Sequence, residues 1–397
     1  MNTIKEKIKL LAKNYSPEII SIRRHLHKNP ELSFEEYKTS DYISEYLKSL
    51  NILYKKGIAK TGIVEIIQGR NPSKKTIALR ADMDALPIQE TNKVDYCSQN
   101  IGVMHACGHD VHSASLMGTA KILSELKNDF EGTVKFIFQP GEERLPGGAS
   151  LMIKEGVLEN PVPQSIFGQH VMPFIDAGKV GFREGVYMAS ADEIYITIIG
   201  KGGHAATPHL NVDPVLITSH IIISLQQIVS RNAKPGIPTV LSFGKVIANG
   251  ATNVIPDEVK IEGTFRTFDE SWRKEAHKKM KAMAESIASG MGGKCEFNIS
   301  IGYPVLINEQ NLTSSAKKNA IEYLGEDKVE DLDIWTAAED FAFYSQQING
   351  CFYRLGVRNE SKKITSPVHT STFNIDESAL ETGMGLMAWL AIKELEG

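Results

Sequence analysis

Four side chains able to bind a metal or move a proton fall within eight residues of the segment MHACGHDVH (104–112): His105, Cys107, His109 and His112, with Asp110 among them. A soft thiolate and borderline imidazoles so close together suit zinc and other divalent transition metals. A strand would send Cys107 and His109 to one face, whereas loop positions ahead of a helix could turn several of these groups inward. Taken singly, each residue reads more plainly as a buried free cysteine or a surface histidine, and only the density of the cluster weighs against that. No CxxC or HxxxH accompanies it, which argues against a structural zinc finger.

A second signal is FQPGEERLPGG (138–148), an apolar strand running out into Glu142-Glu143. Adjacent carboxylates repel unless a cation or a proton lies between them. One of such a pair can bind metal while the other takes a proton from water, although a solvated turn would look the same. RADMDALP (80–87) similarly places Asp82 and Asp84 at one side of a strand end. His170 in GQHVMP and His369 in SPVHTSTFNIDE each follow an apolar run, and alone they read as ordinary histidines. His204 sits in GKGGHAATPH (200–209), a Gly-rich turn with no GxGxxG or GK[ST] phosphate cradle, where it is either a plain turn residue or free to reach outward. Asn253 in NVIPD and Arg266 in GTFRT are unremarkable in isolation.

These residues need elements to hold them. Residues 1–50 read as helical, followed by strand-like runs at 62–69, 76–82, 133–141 and 165–171, with a helix at 112–127. The run near 133–138 is apolar almost without break, as a strand covered on both faces should be. Strands alternating with helices predict an α/β layer structure with a largely parallel central sheet, and the style returns at 351–356 and in a closing helix at 379–395. Between them the order is strand (193–202), helix (213–230), two strands (238–250 and 258–268), helix (272–289) and strand (294–303), which is that of a ferredoxin-like unit. The reading is therefore a catalytic domain in two parts, 1–187 and 304–397, with an inserted domain at 188–303.

Composition narrows the function classes. The chain has 397 residues, with Lys+Arg 44 against Asp+Glu 48 and a net charge of -4. No excess of cations is available for a phosphate-binding surface, so a nucleic-acid partner is not expected. No stretch approaches the roughly 20 apolar residues that span a bilayer, and the start alternates Lys and Glu with Ile and Leu, unlike a signal peptide. Four scattered cysteines do not make a disulfide framework, so the expectation is a reduced, cytoplasmic protein.

In this order the motifs RRHLHKNPELSFEE (23–36), RADMDALP, MHACGHDVH, FQPGEE, QHVMP, GKGGHAA, NVIPD with GTFRTF, AEDFAFY (338–344) and the late His369 make the chain resemble one family nearly end to end. It resembles the hippurate hydrolase and indole-acetyl-amino-acid amidohydrolase branch of the aminoacylase/carboxypeptidase metallopeptidases. The resemblance implies a zinc-peptidase-like α/β catalytic domain with a ferredoxin-like α+β lid that mediates a homodimer or homotetramer. It implies two divalent metal ions (Zn, Mn, Ni or Co) on Cys107, His109, Glu143, His170 and His369. Asp84 matches an orienting carboxylate behind a ligand, and Asp82 stands where relatives outside this branch carry a metal-binding His. Glu142 would be the general base, taking a proton from the attacking water and returning it to the leaving amine. His204 would donate to the oxyanion across the dimer interface, and Asn253 and Arg266 would hold the substrate, Arg266 through its α-carboxylate. The implied substrates are small N-acyl-amino acids, hippurate-like or N-acetylated. A dipeptidase or carboxypeptidase, and a silent metal-binding protein, are the alternatives, and the intact Glu142 speaks against the last. Where relatives continue with glycines, Glu142-Glu143 is followed here by RLPGG.

Overall fold

The computed structural model describes residues 3–397. The chain divides into two compact units. The first comprises residues up to Gly185 with Ile307–Asp333 and Asp340–Gly397, and the second Val186–Leu306 with Ile334–Glu339.

The first unit is built on an eight-stranded sheet. At its centre Thr133–Gln139, Thr76–Asp82, Ser165–Asp176 and Asn349–Arg358 lie side by side and parallel. The first two of these are buried along their whole length, so near-continuous apolar runs are what both faces require. Tyr54–Ile58 and Gly62–Gln68 extend one side antiparallel, and Val180–Phe182 and Val329–Asp331 complete the other. Tyr54–Ile58 is an edge strand exposed at its first four residues, and its two lysines protect the edge. That same polarity hides it from a pattern search.

Helices Ile4–Lys28, His109–Glu125 and Ala379–Glu396 share one core. Ile8, Ala12, Ile19, Ile22 and Leu26 recur at helical spacing and are buried against Leu116, Met117, Ala120 and Met384. The first helix opens on a capping box, in which Thr3 accepts from the Glu6 N–H and Glu6 returns the bond. The helix read at 112–127 starts earlier, at His109. Gly108 precedes it with φ +83°, and a Cβ there would meet the Val171 side chain at 2.6 Å.

The second unit is a four-stranded antiparallel sheet, ordered Thr239–Ile247, Glu258–Thr267, Asp192–Ile199, Lys294–Ile301. Ile194, Ile196 and Ile198 alternate onto one face, where Ile217, Ile221 and Leu225 of Pro214–Gln227 and Ala276, Met280 and Ala284 of Glu270–Gly290 cover them. Asp213 caps the first of these helices by accepting from Val215 and Leu216, with Pro214 at its first position. The β-α-β-β-α-β order read from the sequence is the order found. Among the described residues no helix is long and apolar enough to cross a membrane.

Candidate metal centre

Five segments of the first unit meet at the carboxyl ends of its parallel strands, where open α/β sheets place their sites. Asp82 ends one strand and Asp84 follows it. Glu142 and Glu143 come just after the strand that ends at Gln139, past Gly141. Gly141 has φ +60°, and a Cβ on it would lie 2.4 Å from the Phe34 ring, so only glycine allows the chain to turn there. Cys107 and His109 flank Gly108 at the helix start. His170 lies in Ser165–Asp176, beyond the last pair, Arg80–Gly168, with the neighbouring strand. His369 adopts φ +62°, a left-handed conformation costly for a residue with a Cβ, and its N–H donates to the Ala106 carbonyl at 2.7 Å.

The side chains converge. Cys107 Sγ lies 3.4 Å from His170 Nε2 and 3.3 Å from His369 Nε2. Glu143 Oε1 lies 3.3 Å from His369 Nε2 and 3.9 Å from His109 Nε2. Two overlapping sets of ligand atoms, Cys107/His109/His170 and Cys107/Glu143/His369, each fall within 4.8 Å. Together they contain all five residues that the resemblance nominates as ligands. Glu142 Oε2 stands 4.0 Å from His109 Nε2, while its Oε1 is 3.4 Å from the Asp340 N–H.

Other groups hold these in place. Asp84 Oδ1 takes His109 Nδ1–H at 3.1 Å, and its Oδ2 accepts from the Ser33 hydroxyl at 2.6 Å and the Glu143 N–H at 3.0 Å. With Nδ1–H held by Asp84, the neutral form of His109 carries its lone pair on Nε2, which faces the cluster, buried and with no hydrogen-bond partner. Glu36 accepts from the N–H groups of Phe34 and Gly141 and from the Thr61 hydroxyl, which anchors the turn before Glu142. Beneath the site Arg80 joins Asp82, Gln139 and Asp340 at 2.6, 2.9 and 2.7 Å.

The electrostatics fit a cation. Burial opposes charge on His109, yet the Asp82 and Asp84 carboxylates raise its pKa to about 10. Burial, with Glu143, Glu142 and Asp82 nearby, pushes the Cys107 thiol well up. Burial, with Arg354 opposite, holds the His170 imidazole neutral, the form that ligates metal. An orphaned imidazole nitrogen, a thiol and a Glu carboxylate in an acidic pocket form a donor set that zinc-like ions accept in exchange for the protons it otherwise holds.

Asn253, His204 and Arg266 belong to the second unit. His204 lies on a two-stranded ribbon opposite Val254, and Asn253 accepts from the Ala205 N–H at 3.0 Å through its carbonyl. The Ala206 N–H donates to Nδ1 of the exposed His204 at 3.0 Å, so Nδ1 is an acceptor and the ring N–H is at Nε2. Arg266 is half-buried and donates to the Thr336 carbonyl at 3.1 Å. Sequence reading had no role for Ser33, Glu36 or Arg80, and it left His112 among the possible metal or proton-moving groups without separating it from His109. The only signal for the first two was their place in a motif that carried no recognisable chemistry of its own.

Comparison with known proteins places these features in company. A model of the family described as Peptidase family M20/M25/M40 matches residues 78–393. The N-acyl-L-amino acid amidohydrolase of Geobacillus stearothermophilus is 44% identical over 304 residues, covering 77% of this chain and 81% of that protein. The N-acetylcysteine deacetylase of Bacillus subtilis (strain 168) is 39% identical over 385 residues, 97% of this chain and 98% of its own. Among solved structures, the Bacillus subtilis YXEP protein, named a dinuclear metal binding peptidase from M20 family, superposes with a TM-score of 0.84 at 36% identity. That match covers 97% of this chain and 99% of the other.

Proposed function

The chain belongs to peptidase family M20/M25/M40, and on that premise we propose that it is a dinuclear metal-dependent amidohydrolase that splits N-acyl-amino acids into a carboxylic acid and a free amino acid. The observation that carries this reading is the pair of three-residue ligand sets sharing Cys107, with Glu142 Oε2 4.0 Å from His109 Nε2 beside them. Cys107, His109, Glu143, His170 and His369 would hold two divalent ions of the Zn, Mn, Ni or Co kind. Such ions supply Lewis-acid activation of the carbonyl and of the attacking water.

The protein's own groups do the rest. Glu142 takes the proton of the attacking water at Oε2, with Oε1 turned to the Asp340 N–H, and delivers it to the nitrogen of the leaving amino acid. Proton transfer of this kind is worth about 10²–10⁴-fold. Asp84 keeps the proton of His109 on Nδ1, so that Nε2 stays a donor of electrons. His204, whose Nε2–H is set by the bond at Nδ1, donates to the developing oxyanion of the neighbouring subunit. Arg266 grips the α-carboxylate through two parallel hydrogen bonds, and Asn253 adds a polar contact.

The second unit acts as a lid and dimerisation domain. In its helix Pro214–Gln227, Val215, Leu216 and Ile223 are exposed, an apolar face that suits a homodimer, or a homotetramer built from it. Four free thiols suit the reducing cytoplasm. Within the family, the motif series favours the hippurate and indole-acetyl-amino-acid hydrolase branch.

The test is a panel of hippurate, N-acetyl-amino acids, indole-acetyl-amino acids and dipeptides, assayed before and after chelation and after return of each metal. Hydrolysis of the N-acyl compounds that chelator abolishes and metal restores is the expected result. Activity confined to dipeptides would replace the reading with a dipeptidase, and activity indifferent to chelator would remove the metal from it.

A further inference from the structure

The motif that supplies Cys107 and His109 ends in a third side chain of the same kind, His112, and the strand behind it ends in Asp82. Asp82, His109 and His112 also lie within ligand distance of one another, all buried. Their hydrogen bonds say what the group is for. Arg80 and Asp82, two residues apart on one strand, emerge on the same face, and Arg80 Nη1 donates to Asp82 Oδ2 at 2.6 Å. Asp82 Oδ1 lies 2.6 Å from His112 Nδ1. On the far side of the ring, the Val171 N–H donates to His112 Nε2 at 2.9 Å.

A backbone N–H can only donate, so Nε2 is an acceptor and the proton of the neutral ring is on Nδ1, facing Asp82. Both nitrogens are then committed, and His112 has no lone pair left for a metal. Val171 needs this partner because pairing of its strand with Thr76–Asp82 stops at Gly168, and a buried N–H without a partner is costly. The carbonyl of the same residue accepts from His170 Nδ1 at 2.8 Å, which turns His170 Nε2 toward Cys107 Sγ.

We propose that Asp82 and His112 form a positioning pair: Asp82, anchored by Arg80, fixes the tautomer of His112, which holds Val171 by its N–H so that the Val171 carbonyl aims His170 at the metal centre. Asp82 thus sits buried beside a ligand cluster without being a ligand, and the aspartate serves as an orienting anion. This rests on the reading of His170 as a ligand given above. A ligand aimed through such a chain typically loses about 10- to 100-fold in metal affinity when the chain is cut.

The direct test is on the metal-free wild-type protein, labelled with ¹⁵N in histidine and the backbone. Long-range nitrogen–proton correlation should show His112 protonated at Nδ1, with a coupling across the hydrogen bond between the Val171 nitrogen and His112 Nε2. A ring protonated at Nε2, or no such coupling, overturns the proposal without touching the functional reading. Two variants then test the consequence by chelator competition for Zn and by the absorption spectrum of Co-loaded protein. His112→Phe should weaken binding about 10- to 100-fold, and His112→Gln, whose Oε1 can still accept from Val171, should recover most of that with an unchanged Co spectrum. If His112→Gln loses a nitrogen ligand from the spectrum, His112 binds metal and the proposal fails. If His112→Phe binds Zn as the wild type does, the positioning role fails. Failure of the substrate panel with these results intact would instead overturn the amidohydrolase reading alone.

Discussion

Metal binding to this site should expel protons, and the number follows from the geometry. Without a cation, His109 stays protonated up to about pH 10, because burial is outweighed by the Asp82 and Asp84 carboxylates. Burial and the acidic groups around it also keep the Cys107 thiol protonated well above its ordinary range. His170 is neutral already. A divalent ion needs His109 Nε2 and the Cys107 thiolate, so at pH 7 two protons must leave, one from each. The apparent affinity should then rise about 100-fold per pH unit between roughly pH 7 and 9, since each displaced proton contributes a factor of ten. The metal-free fold carries the opposite dependence. His109 has a folded pKa raised above the usual 6.5, so its stabilising contribution is complete below about pH 6.5 and is lost as pH rises through about 10. At 1.36 kcal/mol per unit this is at most about 5 kcal/mol. The assay is titration calorimetry with Zn or Mn in buffers of different ionisation enthalpy, which counts protons directly. Wild type should release at least two at pH 7, and Cys107→Ala one fewer. Release of less than one proton, or an affinity flat with pH, would refute the reasoning.

Base and ligand should separate on substitution. Glu142→Gln should keep its metal content and lose about 10²–10⁴-fold in kcat, whereas Glu143→Gln should lose metal in elemental analysis, and the reverse pattern would exchange their roles. Gly141→Ala must adopt φ +60° and push a methyl to within 2.4 Å of Phe34. It should cost about 2–5 kcal/mol, summing roughly 1–2 for the left-handed backbone and 1–3 for overpacking, measured by denaturant unfolding of the metal-free protein. Inactive His204→Ala and Glu142→Gln subunits, mixed and allowed to exchange, should regain activity, because one site in the mixed dimer has both an intact base and an intact donor. No recovery despite proven exchange would place His204 in its own chain's site.

The alternation of Ile194, Ile196 and Ile198, the unbroken run at 133–138 and the helical spacing from Ile8 to Leu26 were legible because each reports only which face of an element is apolar. The edge strand Tyr54–Ile58 was not, since its exposed lysines leave no such pattern. The helix start at His109 was missed by three residues because a left-handed glycine, not a polar cap, precedes it.

For the site, residue type alone marked Cys107, His109, Glu142 and Glu143 as capable of metal and proton chemistry, and the resemblance supplied the rest of the set. Type and spacing could not show that His369, 262 residues away, lies 3.3 Å from Cys107. Nor could they separate His109 from His112, which are three residues apart on one helix face and chemically identical. That difference arises from partners on other strands: Asp84 leaves His109 a free nitrogen, while Asp82 and the Val171 N–H take both nitrogens of His112. Local order along the chain sets where a side chain emerges, but a ring nitrogen becomes a ligand or a strut according to which distant donor packing brings against it.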